Sequence, residues 1–474
     1  MMPPWFDVAW IGAATAIAWI VIAAGILQTL VYLAQFVLAA GAMLHRPPSG
    51  RFNLLWRRYS ELAPPISLLV PAYNEGLTIV ESVKALLSME YPNYEVIVIN
   101  DGSKDRTLEI LIQAFELRPT ERLHDSAVPH KPIRGLYASP RHPRLLVIDK
   151  ENGGKADAQN AGIDLARAPL FCAIDADSLL DPDALLRAVR PFIDDPIRTI
   201  GAGGTIRIAN GCDITAGRVV RVRLPRKVLA LFQVIEYLRA FLMARIAWSR
   251  IDSLMLISGA FGVFRRKEAV EVGGFSLGTV GEDLDFAIKL HRYMRDTGQD
   301  YRLAFVPEAV CWTEAPETLT VLGRQRARWQ RGALECFFKH RGMLFRPQYG
   351  RIGFLGLGHI LLVDVIGPIF EVIGYLLVPA MWALGLLEWD FMLAFLALTF
   401  TYGIFISVGA LILEELRLRR FPKAKHLAVL TLIAVVENFG YRQINNAWRL
   451  RGWWQFLRKE QGWGQMTRAG FGSR

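Results

Sequence analysis

Apolar and polar positions divide the chain into three kinds of pattern. Residues 8–44 carry no charge, and a bilayer crossing needs only about 20 such residues, so at least one span is expected. The stretch has the length for two, but its middle holds no Pro, charge or turn cluster to reverse the chain. One long helix overhanging the bilayer is the expected form. From 64 to 345 short apolar runs alternate with helical patterns, which marks an α/β domain. Residues 66–70, 95–99, 145–148 and 170–174 read as strands, with helices at 78–89, 108–117 and 156–166 between them. Each strand runs into polar residues. In open parallel sheets ligands bind at the carboxyl ends of strands, so these turns are expected to converge on one crevice. The segment 119–143, rich in Pro, His and Arg, reads as a surface insertion with no assigned chemistry.

Beyond the domain, 354–387 is interrupted only by His359, Asp364 and Glu371, and 391–413 has no charge. These read as two spans joined at Glu388-Trp389-Asp390. The apolar run 427–436 is too short to span unless Glu437, Asn438 and Arg442 enter the membrane with it. Trp448, Trp453, Trp454 and Trp463, set among Arg and Lys, suit an interfacial position, as do the helical patterns 228–248 and 319–338. Asp364 and Glu371 lie seven apart, hence on nearly one face of a helix with Pro368 between them. Intramembrane acids line watery paths or pack against partners, so an exit route and a packing contact with Arg442 or Asn438 are both open.

Composition and charge refine this layout. The chain is 52% hydrophobic with a net charge of +11. Arg51, Arg57 and Arg58 after the first span, and Arg417, Arg419, Arg420, Lys423 and Lys425 after the later two, place the domain in the cytoplasm by the positive-inside tendency. The excess charge then faces anionic membrane lipids, and nucleic acid is not implied. A cleaved signal peptide fits poorly, because the start is not basic and the apolar run is too long. Cys172, Cys212, Cys311 and Cys336 include no C-x-x-C pair, so free thiols are expected rather than zinc ligands or disulfides.

Candidate chemistry lies at the strand ends. Asp175 and Asp177 follow an apolar strand, where a period of two points both carboxylates to one side, and two hard oxygen donors suit Mg²⁺ or Mn²⁺. Pro71-Ala72-Tyr73-Asn74-Glu75 and Asn100-Asp101-Gly102-Ser103 offer acceptors for a base and ribose, with Tyr73 able to pack on a ring. Lys155, after Asn152-Gly153-Gly154, can reach a diphosphate. Glu282 and Asp283 open a helix, where acids serve as caps or as a base for an attacking hydroxyl. Gln325 and Trp329 are four apart on a helix face with Arg328 beside them, offering a cation for a leaving diphosphate and an indole for a sugar ring. Each motif alone has an ordinary structural reading as a turn, a cap or a surface cation.

Their order is more specific. The succession from Pro71-Ala72-Tyr73-Asn74-Glu75 through Lys155, Asp175-Ala176-Asp177, Ser258-Gly259-Ala260 and Gly281-Glu282-Asp283 to Gln325-Arg326-Ala327-Arg328-Trp329 resembles the membrane-bound processive family-2 glycosyltransferases, including hyaluronan, chitooligosaccharide and poly-N-acetylglucosamine synthases. The resemblance implies an α/β GT-A (Rossmann-like) cytoplasmic domain plus an α-helical transmembrane region, a UDP-sugar donor and one inverting displacement. By that likeness Ala72, Tyr73, Glu75 and Asp101 hold the uridine, Lys155 the diphosphate and Asp175 the nucleotide-sugar, with Asp177 ligating the metal. Asp283 would be the general base beside Glu282, Ser258 and Gly259 acceptor wall, and Gln325, Arg328 and Trp329 the Q-x-x-R-W motif that cradles nucleotide and acceptor. The layout implied is a transmembrane helix in 1–48, the transferase domain with interfacial helices in 49–345, two spans in 346–415 and a membrane-associated segment in 416–474. A glycan or lipid acceptor, the plasma membrane and accessory export proteins complete the expectation. Asn100 and Gly281 depart from the family, which often has Asp and Thr there. A non-processive transferase acting on a lipid, and a transporter with a degenerate transferase domain, are the competing readings; the retained acids argue against the second.

Overall fold

The computed structural model describes residues 4–45, 52–124, 126–385, 387–418, 421 and 423–460. Arg51, Arg419, Arg420 and Trp463, on which part of the orientation and interface expectation rests, lie outside the described residues, as does the side chain of Arg417.

Among the described residues twelve strands follow one another as β1 (Ile66–Ala72), β2 (Tyr94–Asp101), β3 (Arg118–Thr120), β4 (Ile133–Ala138), β5 (Leu145–Lys150), β6 (Leu170–Ile174), β7 (Leu179–Leu180), β8 (Thr199–Ile208), β9 (Asp213–Thr215), β10 (Arg218–Arg221), β11 (Phe261–Arg265) and β12 (Arg302–Thr313). Ten form one sheet in the order β3-β4-β5-β2-β1-β6-β11-β8-β12-β7, and β9 and β10 form a separate hairpin. The four expected strands are β1, β2, β5 and β6, mutually parallel, and the expected helices appear as Ile79–Leu87, Thr107–Phe115 and Lys155–Leu165. Buried on both faces, these strands read as continuous apolar runs, and β6 is buried at every position.

Two expectations change here. The sheet is mixed beyond β6: β11 runs antiparallel to β6 and β8, and β12 parallel to β8. The segment 119–143 is not only a surface insertion, because β3 and β4 extend the sheet antiparallel to β5. Its half-buried edge position lacks the apolar run that identifies a central strand.

Pro4–Leu44 is one unbroken helix of 41 residues, roughly 60 Å long at 1.5 Å per residue, as its uninterrupted pattern requires. Among the described residues three helices are long and apolar enough to cross a membrane: Trp19–Leu44, Ile352–Ala383 and Thr399–Leu416. A fourth candidate is the pair Ala424–Val436 and Tyr441–Leu457, bent by 59°, so the short run does have a continuation.

The candidate span Ile352–Ala383 is joined to the α/β domain by its own irregularity. Pro368 has no N–H, which leaves the carbonyl of Asp364 without its helical donor, and π-helical turns at Ile352–Gly356 and Ile360–Ile366 loosen the ladder further. Gln330 Nε2 donates to the Asp364 carbonyl. Arg449 donates to Val363 O at 2.8 Å and to Asp364 Oδ1 at 3.0 Å, Trp453 Nε1 to Val365 O at 3.0 Å and Asn446 Nδ2 to Pro368 O at 3.1 Å. Tyr441–Leu457 therefore does more than lie on an interface. It packs along Leu319–His340, with Trp448 over Gly323 where a Cβ would fall 2.6 Å from Nε1. Asp364 is paired by Arg449 and Glu371 accepts from Gln28 Nε2 at 3.4 Å, while Arg442 pairs with Glu437 at 3.6 Å. Arg239, in the run Val228–Tyr237, Leu238–Met243 and Ala244–Arg250, also reaches Glu437, and Arg207 of β8 reaches Glu414.

Candidate active site

One side of the crevice is assembled by cross-strand pairing. In the parallel register Asn100 faces Asp149 and Asp101 faces Lys150. Asn100 Nδ2 donates to Asp149 Oδ1 at 2.7 Å, so the amide where the family often has Asp avoids two facing carboxylates. Asp101 Oδ1 pairs with Lys150 Nζ at 2.9 Å, and its oxygens accept from Gly153 N at 2.9 Å, Gly154 N at 2.8 Å and Asn152 Nδ2 at 3.1 Å. Asp101 thus holds the glycine loop carrying Lys155 and spends most of its acceptor capacity internally, although it reaches the crevice wall. Asn74 adopts φ +58°, a conformation its short polar side chain tolerates. Its Oδ1 accepts from Lys104 N at 2.8 Å and its N donates to Ser103 Oγ at 3.0 Å. Glu75 is held similarly, by Thr107 on its N and Thr78 on its carboxylate. These bonds join the first two turns and leave the Tyr73 ring 44% exposed beside Ala72 on the crevice.

Lys155 starts its helix after Gly154, whose φ of +90° favours glycine. Its Nζ lies 2.5 Å from Asp175 Oδ1, 3.3 Å from Gly259 O and 3.7 Å from Glu282 Oε1. Burial disfavours the ammonium, but Asp175 and Glu282 outweigh it and push its pKa up. Asp175 and Asp177 sit in a turn closed by Ser178 N on Asp175 O at 3.0 Å, not in strand register, and both line the crevice. No group of three or more His, Cys, Asp or Glu is placed to hold a metal among the described residues. Two carboxylates fit a hard divalent ion that takes its remaining ligands from diphosphate and water.

The two acids after Gly281 separate in role. Glu282 is buried against Lys155, and burial pushes its pKa up to about 7 while Lys155 pulls it down. Asp283 is only partly buried, accepting from Gly259 N at 3.1 Å and Leu284 N at 2.9 Å. Ser258 and Gly259 therefore form the wall beside it. Gly281 packs on Gly332 of the helix Leu319–His340 so closely that a Cβ on Gly281 would lie 3.0 Å from the Gly332 backbone, which leaves no room for Thr. That helix brings Gln325, Arg328 and Trp329 to the same crevice.

Sequence reasoning missed the residues that dress this face. Arg326 stacks 4.2 Å from the Trp329 ring centroid and pairs with Glu236 at 2.8 Å, and Phe241 meets Trp329 edge-on at 6.2 Å. Arg245 and Arg449 were hidden in helical patterns whose mixed composition reads as an interfacial surface. From Asp283 the cavity, about 3070 Å³, continues past Trp248 and His359 to Gln28, Tyr32, Asp364, Glu371 and Arg442 between the apolar helices.

Known proteins resemble this chain in sequence and in fold. The model for glycosyl transferase family 2 matches residues 67–231, and that for glycosyl transferase family group 2 matches 170–435. The chain is 29% identical over 288 residues to a poly-beta-1,6-N-acetyl-D-glucosamine synthase of Staphylococcus epidermidis, covering 60% of this chain and 59% of that protein. It is 29% identical over 275 residues to the one from Staphylococcus aureus, covering 58% and 56%. The chain thus matches less than two thirds of the length of these relatives. The mannosyltransferase PcManGT from Pyrobaculum calidifontis, solved in complex with GDP-Man and Mn²⁺, superposes with a TM-score of 0.59 at 19% identity, covering 94% of this chain and 100% of that one, a likeness of fold. With the group 2 model matching more than half of its 474 residues around a GT-A sheet, the chain belongs to glycosyl transferase family group 2.

Proposed function

We propose that the protein is a processive, inverting glycosyltransferase that adds sugar from a UDP-sugar to a growing polysaccharide and passes the product across the plasma membrane. The observation that carries this reading is the single cavity joining Asp283 to polar groups among the apolar helices. A path to a lipid acceptor alone would not need Gln28, Tyr32, Asp364 and Glu371 on its wall. Similarity to poly-beta-1,6-N-acetyl-D-glucosamine synthases favours UDP-N-acetylglucosamine as the first donor to try.

Tyr73 stacks on the base, with Ala72 and Glu75 beside it, while Asp101 keeps the glycine loop in place. Lys155, Arg328 and Gln325 orient and stabilise the leaving diphosphate, where preorganised charge contributes most. Asp177 and Asp175 would hold Mg²⁺ or Mn²⁺, which supplies charge neutralisation at the diphosphate. Asp283 takes the proton of the acceptor hydroxyl as it attacks opposite the leaving group, which inverts the anomeric centre. Glu282, buried against Lys155, supports that cation rather than serving as the base. Trp329 offers its face to the acceptor ring, and Ser258 with Gly259 closes the wall. In this reading residues 49–345 form the cytoplasmic catalytic domain, between a span in 1–48 and two in 346–415, with 416–474 at the membrane.

The test is product analysis with purified protein in vesicles, a panel of UDP-sugars and Mg²⁺ or Mn²⁺. Long polymer enclosed by the vesicles is expected, and only short lipid-extractable product overturns processivity. Asp283→Asn should lower the rate about 10²- to 10⁴-fold, the range for loss of a general base; an unchanged rate overturns the mechanism.

A further inference from the structure

Arg245 lies on Ala244–Arg250, the last helix before the loop that carries Ser258 and Gly259. It is 5% exposed and lines the crevice, yet its Nη1 has no hydrogen-bond partner. Its guanidinium stacks 4.2 Å from the centroid of Phe241, one turn earlier, and Phe241 in turn meets Trp329. Burial draws its pKa down to about 10 against the pull of Asp283, the carboxylate that acts most strongly on it. Four other cations along the cavity are paired: Lys155 with Asp175 and Glu282, Arg326 with Glu236, Arg239 with Glu437 and Arg449 with Asp364. Burying a guanidinium with an unmet donor is costly, and at a cavity wall a ligand can meet that need. Its ring partner is Phe241, which leads on to Trp329, and the carboxylate it feels is Asp283, so it belongs with the acceptor side of the crevice rather than with Tyr73 or Asp177.

We propose that Arg245 binds the acceptor: its unpaired N–H donates to a hydroxyl or amide oxygen of the terminal acceptor sugar, beside the hydroxyl that Asp283 deprotonates, with Phe241 and Trp329 as the walls. This rests on the transferase reading and adds to it a residue outside the Q-x-x-R-W motif. The guanidinium then orients the sugar, so that ring packing on Trp329 is converted into one attacking geometry.

Binding measurements on the full-length protein in detergent separate the outcomes, with an N-acetylglucosamine trisaccharide and UDP as probes. Arg245→Met should weaken the trisaccharide at least about tenfold while UDP affinity stays within about twofold, which also reports that the variant is folded. Arg245→Lys should fall between, keeping charge without the planar fork. Equal trisaccharide binding by parent and Arg245→Met overturns the proposal, as does a parallel loss of UDP affinity, which would assign Arg245 to the donor. A parent that binds UDP but not the trisaccharide also overturns it and leaves the transferase reading standing. A parent that binds neither overturns both.

Discussion

Single residues in this site act mainly through what holds them. His291 Nε2 donates to Leu254 O, 2.9 Å away, and its Nδ1 accepts from Tyr301 Oη at 2.8 Å, which anchors the loop leading to Ser258 and Gly259. Burial lowers its pKa to about 4, below the ordinary value near 6.5. Because protonation then favours the unfolded chain, the stability it contributes is intact above about pH 6.5 and is lost as pH falls toward 4, about 3 kcal/mol across that window. Thermal unfolding in detergent should show a steeper loss from pH 6.5 to 4.5 in the parent than in His291→Gln; identical slopes would refute the assignment. Asp101 shows the same principle from the other side. Its place after a strand and before Gly102 was legible in the sequence, but its engagement was not, because Lys150 and the amides of Gly153 and Gly154 come from about fifty residues away.

At the scale of elements, patterns with one strong period were readable and those with mixed character were not. Strands β1, β2, β5 and β6 announce themselves as apolar runs ending in polar turns, whereas β11 and β12 pair out of sequence order across long excursions and β4 is only half buried. The Glu282–Asp296 and Leu319–His340 helices were recognised as motif carriers, but the contact that sets their separation rests on two glycines 51 residues apart. Gly332→Ala would insert a Cβ 2.9 Å from the Gly281 backbone. Overpacking of this kind costs about 1–3 kcal/mol, and here the strain moves Asp283 relative to Trp329. The expected result is a roughly tenfold fall in kcat with UDP affinity retained, measured by initial rates and calorimetry. An unaltered kcat would mean that the two helices adjust without disturbing the site.

Across the whole molecule, one clamp connects the helix carrying Trp329 to the apolar helices, and so the proposed transfer site to the proposed product path. Gln330 follows Trp329 directly, donates to the carbonyl that Pro368 leaves unmet, and accepts from Arg449 Nε at 2.8 Å. Arg449 also grips Asp364 and the Val363 carbonyl, so the helices Leu319–His340, Ile352–Ala383 and Tyr441–Leu457 meet at one guanidinium. Removing it leaves Asp364 without its cation and the bulged helix Ile352–Ala383 held by fewer bonds, while Lys155, Asp175 and Asp283 keep their own partners. Arg449→Met should therefore shorten the polymer more than it slows the first transfer, and Arg449→Lys should restore part of the length. Product sizing against the initial rate of UDP release reads both quantities from one reaction. If length and rate fall together, Arg449 serves the fold of the site alone; if length falls first, the membrane helices take part in holding the glycan between successive additions.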